Sequence, residues 1–347
     1  MKHRKFSRTG ISVSSLSLGT ATFGRQTDEV ASVAILNKAA EAGVDFIDSS
    51  DFYPMSALPD EMGRSEEILG RWLKGKRGRF IIATKAGAPV GPSNWDQGGS
   101  RKHLLDAIDG SLGRLGTDYV DLYSLHLDDP ATPLDESLEA LDQIVRLGKA
   151  RYVGVSNFLA YRLARAIGRQ ETLRLARFVC VQPRYNLLFR EIERELLPLC
   201  GEEGVAVTPY NPLAGGLLTG KYRKSETPSE GRFSAANGQF GEIYQARYWQ
   251  EREFETIGRI EAIARERNMA LPTLAVSWLM TNPLVTSVIL GASRPEQLDL
   301  TLASGDVELD AKTLALLDDA TCERARSDRN PTRRNRDARR AANGRIR

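Results

Sequence analysis

The sequence predicts an α/β fold, a single (β/α)8 TIM barrel, from two observations. Short apolar, β-branched runs alternate with amphipathic segments along the chain, as in the repeated strand–helix units that build a parallel sheet. Eight such runs can be counted. A doubly wound open sheet is the competing architecture, but it would want a G-x-G-x-x-G turn after an early strand, and the sequence has none there.

The eight strands are predicted at residues 16–21, 45–49, 80–85, 120–126, 152–156, 178–182, 206–210 and 286–290. Helices are predicted at residues 29–42, 65–73, 101–115, 134–147, 160–169, 192–203, 252–267 and 272–280. The apolar positions of these helices recur at three- and four-residue steps. Several helices are followed by glycine, including Gly43, Gly148 and Gly204, where a left-handed cap favours a residue without a β-carbon.

Two interruptions lengthen the loops after strands 2 and 7. Residues 54–63 are unusually apolar, with Met55, Leu58 and Met62, whereas residues 213–247 are polar and contain glycines. A barrel usually places substrate-binding loops after its strands, although the first loop could also form a contact between subunits. No Gly-Ser or Pro-rich linker divides the chain, so we predict one domain over residues 1–322 and an Arg-rich tail over residues 323–347.

The composition favours a cytoplasmic protein. The 347 residues are 41% hydrophobic, yet no apolar run reaches the roughly 18 residues that cross a bilayer. Residues 6–17 are too polar for the core of a signal peptide. The three cysteines, Cys180, Cys200 and Cys322, follow no motif spacing, which indicates a reducing compartment without disulfides or a zinc site.

The formal net charge of +3 is divided unevenly along the chain. The tail holds ten arginines against three acidic residues, a net +7, which leaves about −4 on the first 322 residues. A basic tail can bind phosphates, but this one has no aromatic side chain to stack on bases. We favour a solvated appendage or a helix on the barrel wall, and we expect no nucleic-acid partner.

Four reactive side chains stand at or just beyond the ends of predicted strands, namely Asp48, Tyr53, Lys85 and His126. Each has an ordinary structural interpretation alone, but one rim of a closed parallel barrel gathers strand ends into a single pocket. Reduction of a carbonyl needs a proton donor beside the oxygen, and a neighbouring ammonium lowers the phenol pKa from its usual value near 10. We therefore predict Tyr53 as the general acid and Lys85 as the group that tunes it. Asp48 would hold the lysine, and His126 would orient the carbonyl or share in proton delivery.

The chain resembles the aldo-keto reductase superfamily up to about residue 320, on eight motifs in the family's order. These are DSSDFY at 48–53, GRSEEILG at 63–70, ATK at 83–85, LH at 125–126, GVSNF at 154–158, VQPRYN at 181–186, PYNPLAGG at 209–216 and LGASRPEQL at 290–298. The likeness is to the branch that includes potassium channel β-subunits and reductases of sugar aldehydes or nucleotide sugars. It implies a barrel that binds NADPH and reduces an aldehyde or ketone to an alcohol, with the same four residues as a catalytic tetrad.

The resemblance also implies the residues that bind NADPH. Ser156, Asn157 and Gln182 would hold the nicotinamide carboxamide, although the Ser-Asn pair could instead cap a helix. Tyr210 would stack on the ring. The remaining positions are Leu213, Gly215, Leu217 and Lys221 beside the pyrophosphate, and Gly291, Ser293, Arg294 and Gln297 at the start of a helix. Helix N-termini favour anions, and the forked donor of Arg294 suits a 2′-phosphate, which favours NADPH over NADH.

The sequence departs from the family pattern at two places. Leu300 and Thr301 replace a Glu-Asn pair that the family often uses for adenine, and Ser49-Ser50 replaces the usual Thr-Ala. An NADPH-sensing regulatory protein with slow turnover is the alternative function. With three histidines, a metal-dependent hydrolase is poorly supported, and no metal is predicted. The carbonyl substrate, which includes sugar-like compounds among its candidates, and the oligomeric state stay open.

Overall fold

Eight parallel strands form one sheet in the computed structural model, which describes residues 1–55, 59–226 and 228–325. They are β1 (Leu16–Gly19), β2 (Phe46–Asp48), β3 (Ile81–Ala86), β4 (Val120–Leu125), β5 (Ala150–Ser156), β6 (Phe178–Gln182), β7 (Ala206–Val207) and β8 (Val288–Leu290). Each strand from β1 to β6 pairs with the next one along the chain, and β8 pairs with β1, which leaves β7 and β8 at the two edges.

Two backbone hydrogen bonds join the remaining edges and close the sheet. The amide of Thr286, just before β8, donates to Val207 O of β7 over 2.8 Å, and the amide of Ile289 in β8 donates to Pro209 O, just after β7, over 3.0 Å. The closed parallel sheet confirms the predicted α/β barrel.

The helices lie between successive strands and after the last one. They are α1 (Glu29–Glu41), α2 (Arg64–Leu73), α3 (Arg101–Leu115), α4 (Leu134–Arg146), α5 (Ala160–Leu173), α6 (Leu196–Glu203), α7 (Gln239–Tyr248), α8 (Glu251–Glu266), α9 (Leu271–Thr281), α10 (Asp299–Leu302) and α11 (Ala311–Ala325). The three glycines predicted as caps all have positive φ, at 85° for Gly43, 74° for Gly148 and 62° for Gly204. The large apolar core lies between these helices and the sheet.

A second, smaller apolar cluster fills the lower interior of the barrel. Its strand members include Phe46 of β2, Leu122 of β4 and Cys180 of β6, which are alternate strands of the barrel. An antiparallel hairpin of His3–Lys5 and Ser12–Ser14 adds Phe6 and Val13, which are 1% and 0% exposed, to the same cluster. The hairpin therefore closes the barrel at the end where the strands begin.

Several elements differ from the predictions. The hairpin, α7 and α11 were not predicted, α10 was predicted only as a helix start without bounds, and residues 191–203 contain a 3-10 turn before α6 rather than one continuous helix. The α11 helix continues to Ala325, past the predicted domain boundary. Residues 326–347 of the tail and Leu58 of the apolar loop lie outside the described residues. Among the helices that are described, none is both long and apolar enough to span a membrane.

Candidate active site

The alternation of side chains along the strands places two catalytic candidates, Asp48 and Lys85, inside the barrel. Side chains two positions apart on a strand share a face, and Phe46 and Ala83 belong to the interior cluster. Asp48 on β2 and Lys85 on β3 therefore point inward, one layer above those two residues. Gln182 stands in the same way above Cys180 on β6.

The Asp48–Lys85 pair is almost completely withdrawn from water, with exposed side-chain fractions of 3% and 1%. Lys85 Nζ donates to both Asp48 carboxylate oxygens over 2.8 Å and to Ser49 O over 2.6 Å. Gln182 Nε2 donates to Asp48 Oδ1 over 2.9 Å. Burial lowers the pKa of Lys85, but the charges of Asp48 and Tyr53 and its hydrogen bonds outweigh that effect, so its pKa lies above the ordinary value. Lys85 therefore stays an ammonium.

Tyr53 lies in the turn after β2 and is buried beside this pair. Its backbone is fixed because its amide donates to Ser50 O over 3.1 Å and its carbonyl accepts from Gly63 over 2.9 Å and from Ser65 over 3.3 Å, at the start of α2. Lys85 Nζ lies 4.9 Å from the centroid of the phenol ring. The predicted neighbours are thus brought together.

The direction of the Tyr53 pKa corrects the prediction. Lys85 does lower the pKa through its charge and a hydrogen bond, as expected. Burial is the larger influence, and it leaves the phenol pKa above its ordinary value. A buried phenol in this site is therefore neutral and holds its proton at physiological pH.

His126 follows β4 directly and faces Tyr53, with 5.8 Å between the ring centroids at an interplanar angle of 83°. Its amide donates to Ala86 O over 2.8 Å, and its Nδ1 lies 3.1 Å from Ser50 Oγ. Burial, followed by the charge of Lys85, lowers the pKa of the imidazole to about 3. The ring is neutral at physiological pH and can donate from only one nitrogen.

The residues predicted to hold the carboxamide lie on the same rim. Asn157 has φ of 59°, and its Nδ2 donates to His126 O and Ser156 Oγ, both over 3.1 Å. Tyr210 Oη donates to Asn157 Oδ1 over 2.8 Å, and burial raises the pKa of this phenol to about 12. Ser156 Oγ donates to Gln182 O over 2.9 Å. These amide and hydroxyl groups form a continuous network with the tetrad.

The segment after β7 makes a tight turn with glycines in the left-handed region. Gly215 has φ of 73°, and its amide donates to Asn211 Oδ1 over 2.6 Å. The side chain of Leu217 belongs to the core and is 1% exposed, so only its backbone can face a ligand, whereas Leu213 is partly buried. Lys221 is exposed, and desolvation followed by the charge of Arg294 lowers its pKa.

After β8, the structure has a short turn where the sequence predicted the start of a helix. A 3-10 turn over Pro295–Leu298 leads into the four-residue α10. Gln297 Oε1 accepts from the Ser293 amide over 2.8 Å, so the turn satisfies this donor itself. Arg294 is exposed beside Glu296, and a β-carbon at Gly291 would meet no atom within 4 Å. An anion here would depend on the arginine more than on a helix dipole.

Sequence reasoning missed three residues that surround the tetrad. Ser50 contacts His126, and Asp51 is buried with no hydrogen-bonding partner for its Oδ2 among the described residues. Burial and then the charge of Glu66 raise the pKa of Asp51 well above its ordinary value. Phe240 of α7 packs edge-on against Phe52, 5.9 Å between centroids, so α7 reaches the catalytic turn. The D-x-x-D-x-Y spacing was the only available signal for Ser50 and Asp51, and none marked Phe240.

The arrangement offers a neutral phenol backed by a fixed ammonium, a neutral imidazole and a rim of carboxamide-type donors. These groups can give a proton to an oxygen and stabilise the phenolate that is left. Within the described residues, no group of three or more His, Cys, Asp or Glu side chains could hold a metal ion.

Comparisons with known proteins show which family this chain is similar to. A family model described as "Aldo/keto reductase family" matches residues 15–321. A "Probable voltage-gated potassium channel subunit beta" of Arabidopsis thaliana is 36% identical over 88% of this chain and 92% of its own length. "Uncharacterized oxidoreductase YrpG" of Bacillus subtilis is 34% identical over 92% and 95%, respectively. "L-glyceraldehyde 3-phosphate reductase" of Escherichia coli is 33% identical over 92% of both chains.

Proposed function

Because the chain belongs to the aldo/keto reductase family, and thus to a family of oxidoreductases that act on carbonyl groups, we propose that it is an NADPH-dependent reductase. It converts an aldehyde or ketone to an alcohol, with Tyr53 as the proton donor. The observation that carries this proposal is the buried contact of Tyr53 with the Lys85–Asp48 pair, on the same rim as His126 and Tyr210.

Each tetrad residue has its own role in proton transfer to the carbonyl oxygen. Tyr53 holds its proton because burial raises its pKa, and it gives that proton to the carbonyl oxygen as negative charge grows there. Lys85 then stabilises the phenolate through its charge. Asp48 and Ser49 O keep the ammonium in place, and the neutral His126 donates to the same carbonyl oxygen.

The donor set fits a dinucleotide. NADPH, when bound, supplies the hydride. Ser156, Asn157 and Gln182 present amide and hydroxyl groups suited to its carboxamide, and Tyr210 presents a ring at the same rim. Leu213, Gly215 and the backbone of Leu217 would line the pyrophosphate, and Gly291, Ser293 and Gln297 the adenosine.

Two cations support the preference for NADPH. Lys221 and Arg294 come from the segments after β7 and β8, and their charges interact, since Arg294 lowers the pKa of Lys221. Two cations held near each other repel, and a 2′-phosphate or pyrophosphate relieves that repulsion. Arg294 pairs with Glu296 at the surface, where an ion pair is weak.

The direct test is the Tyr53→Phe variant, which removes the acidic hydroxyl and keeps the ring. NADPH oxidation is followed at 340 nm with a panel of aldehydes and ketones, and cofactor binding is measured by fluorescence titration. We expect a loss of about 10² to 10⁴ in kcat with NADPH affinity nearly unchanged. Reduction as fast as wild type by Tyr53→Phe would overturn the assignment.

The panel begins with small polar aldehydes, including L-glyceraldehyde 3-phosphate, because a relative carries that substrate in its name. We do not favour the regulatory alternative, in which the protein senses NADPH and turns over slowly. All four tetrad residues are in contact as a set suited to turnover. Rapid steady-state cycling with one carbonyl would separate the two functions.

A further inference from the structure

The hydroxyl of Ser50 lies at the centre of a buried cluster of polar atoms behind the catalytic histidine. Ser50 is 0% exposed. Its Oγ lies 3.1 Å from His126 Nδ1, and 3.2 Å from Asp51 Oδ1, from Lys85 O and from the amide of Phe52. In the described part of the chain, it is the only hydrogen-bonding partner of the His126 ring.

A hydroxyl has one hydrogen to donate and can accept two. The Phe52 amide must donate to Ser50, because an amide N–H has no other role, so it fills one acceptor site. The hydrogen of Ser50 then has three possible acceptors. One of them, Lys85 O, is already satisfied by the Asp51 amide over 3.1 Å, so its second lone pair does not require the hydrogen of Ser50.

The state of Asp51 decides between the other two acceptors. Its carboxyl is buried, and its Oδ2 has no hydrogen-bonding partner among the described residues. Burial, and then the charge of Glu66, raises its pKa well above the ordinary value, which favours the protonated acid. As a protonated acid it can donate to Ser50 and fill the second acceptor site. The hydrogen of Ser50 is then best placed towards His126 Nδ1, which is its shortest contact at 3.1 Å and has no other partner among the described residues.

We propose that Ser50 is a positioning residue that donates to His126 Nδ1, and so fixes the ring with its proton on Nε2. With Nδ1 occupied as an acceptor, a neutral imidazole carries its hydrogen on Nε2 and can donate it to a carbonyl oxygen. The inference rests on the proposed function for its effect on catalysis. Ser50 stands where the family usually has alanine, and alanine has no hydroxyl to make this bond.

Kinetics give the first test. Ser50→Ala removes the hydroxyl and should lower kcat about 5- to 10-fold, the value of one hydrogen bond, while KM for NADPH stays unchanged. Ser50→Cys, with a weaker donor of similar shape, should recover part of that loss. The matched control is Ser65→Ala, since Ser65 is equally buried but its hydroxyl donates to Thr20. The control should keep the wild-type kcat.

Nitrogen NMR of the histidine rings gives a second test that needs no substrate. The chain has three histidines, so each ring can be assigned by single substitution. We expect His126 to carry its hydrogen on Nε2 in the wild type and in Ser65→Ala, and to gain the Nδ1–H form in Ser50→Ala.

The two tests separate the possible failures. A wild-type ring with its hydrogen on Nδ1, or the same tautomer in wild type and Ser50→Ala, would overturn the positioning role even if kcat fell. If the wild type reduced no carbonyl, the proposed function would fail, and the tautomers would still decide whether Ser50 fixes the ring.

Discussion

Removing the Lys85 ammonium alone should destabilise the protein more than removing both members of its ion pair. Lys85→Met leaves the carboxylate of Asp48 buried, with Gln182 Nε2 as its remaining side-chain donor at 2.9 Å. Asp48→Asn leaves the ammonium buried instead, with Ser49 O and an amide oxygen to accept from it. In both single variants one charge is kept out of water without an opposite charge.

The magnitude follows from the burial of the pair. Breaking a buried ion pair on one side costs about 3–5 kcal/mol, whereas replacing both members by neutral groups is often close to neutral. We therefore expect the free energy of unfolding to fall by about 3–5 kcal/mol in each single variant. The double variant, Asp48→Asn with Lys85→Met, should recover at least about 2 kcal/mol of that loss while its reductase activity stays low.

Urea unfolding followed by circular dichroism measures the four proteins of this cycle. Lys102→Met is the control, because Lys102 pairs with Asp106 on α3 with exposed side-chain fractions of 60% and 66%. A surface pair of this kind is worth about 0–1 kcal/mol. The reasoning is wrong if Lys85→Met costs no more than the control, or if the losses of the two single variants simply add in the double variant.

Three further predictions concern charge and pH. His126 is protonated near pH 6.5 in the unfolded chain but only near pH 3 in the folded protein, so its contribution to stability is lost as the pH falls through that window. His126→Gln should therefore reduce the slope of the free energy of unfolding against pH, by at most about 1.4 kcal/mol per pH unit, in urea unfolding. An unchanged slope would contradict this. Asp51 has a raised pKa in the folded state, so its contribution is lost as the pH rises above about 4. Asp51→Asn should therefore gain stability relative to wild type as the pH rises from about 4, and a difference that stays constant with pH would count against a raised pKa of Asp51. Lys221→Ala and Arg294→Ala should each weaken NADPH binding about 10-fold and NADH binding less in fluorescence titration, and equal losses would remove the case for a 2′-phosphate contact.

The positions of the tetrad were predictable because each residue ends or follows a run with its own local signal. The parallel barrel then brings those ends to one rim without further information. The bounds of β6 were predicted without error, but β7 ends at Val207 rather than at residue 210. Pro209 has no amide hydrogen for the strand ladder, so the chain continues there with isolated bonds such as that from Tyr210 N to Pro183 O.

The missed features depend on distant residues or on very short elements. Ser50 and His126 are 76 positions apart, and neither position alone indicates a contact. The pKa of Tyr53 depends on how completely the site is buried, which the local motif does not express. The N-terminal hairpin has strands of three residues, too short for an alternating pattern, and α7 lies among glycines and polar residues.

The N-terminal hairpin limits the routes by which small molecules can reach the tetrad, because it covers one end of the barrel. Phe6 and Val13 fill the end where the strands begin, beneath the other apolar side chains of the same cluster, so the described residues pack closely on that side. In the proposed function, a dinucleotide and a carbonyl compound would then both enter at the opposite rim. The larger molecule, once seated along that rim, forms a wall of the space that the smaller one enters. We therefore expect the two to arrive in sequence, cofactor before carbonyl, and to depart in reverse order.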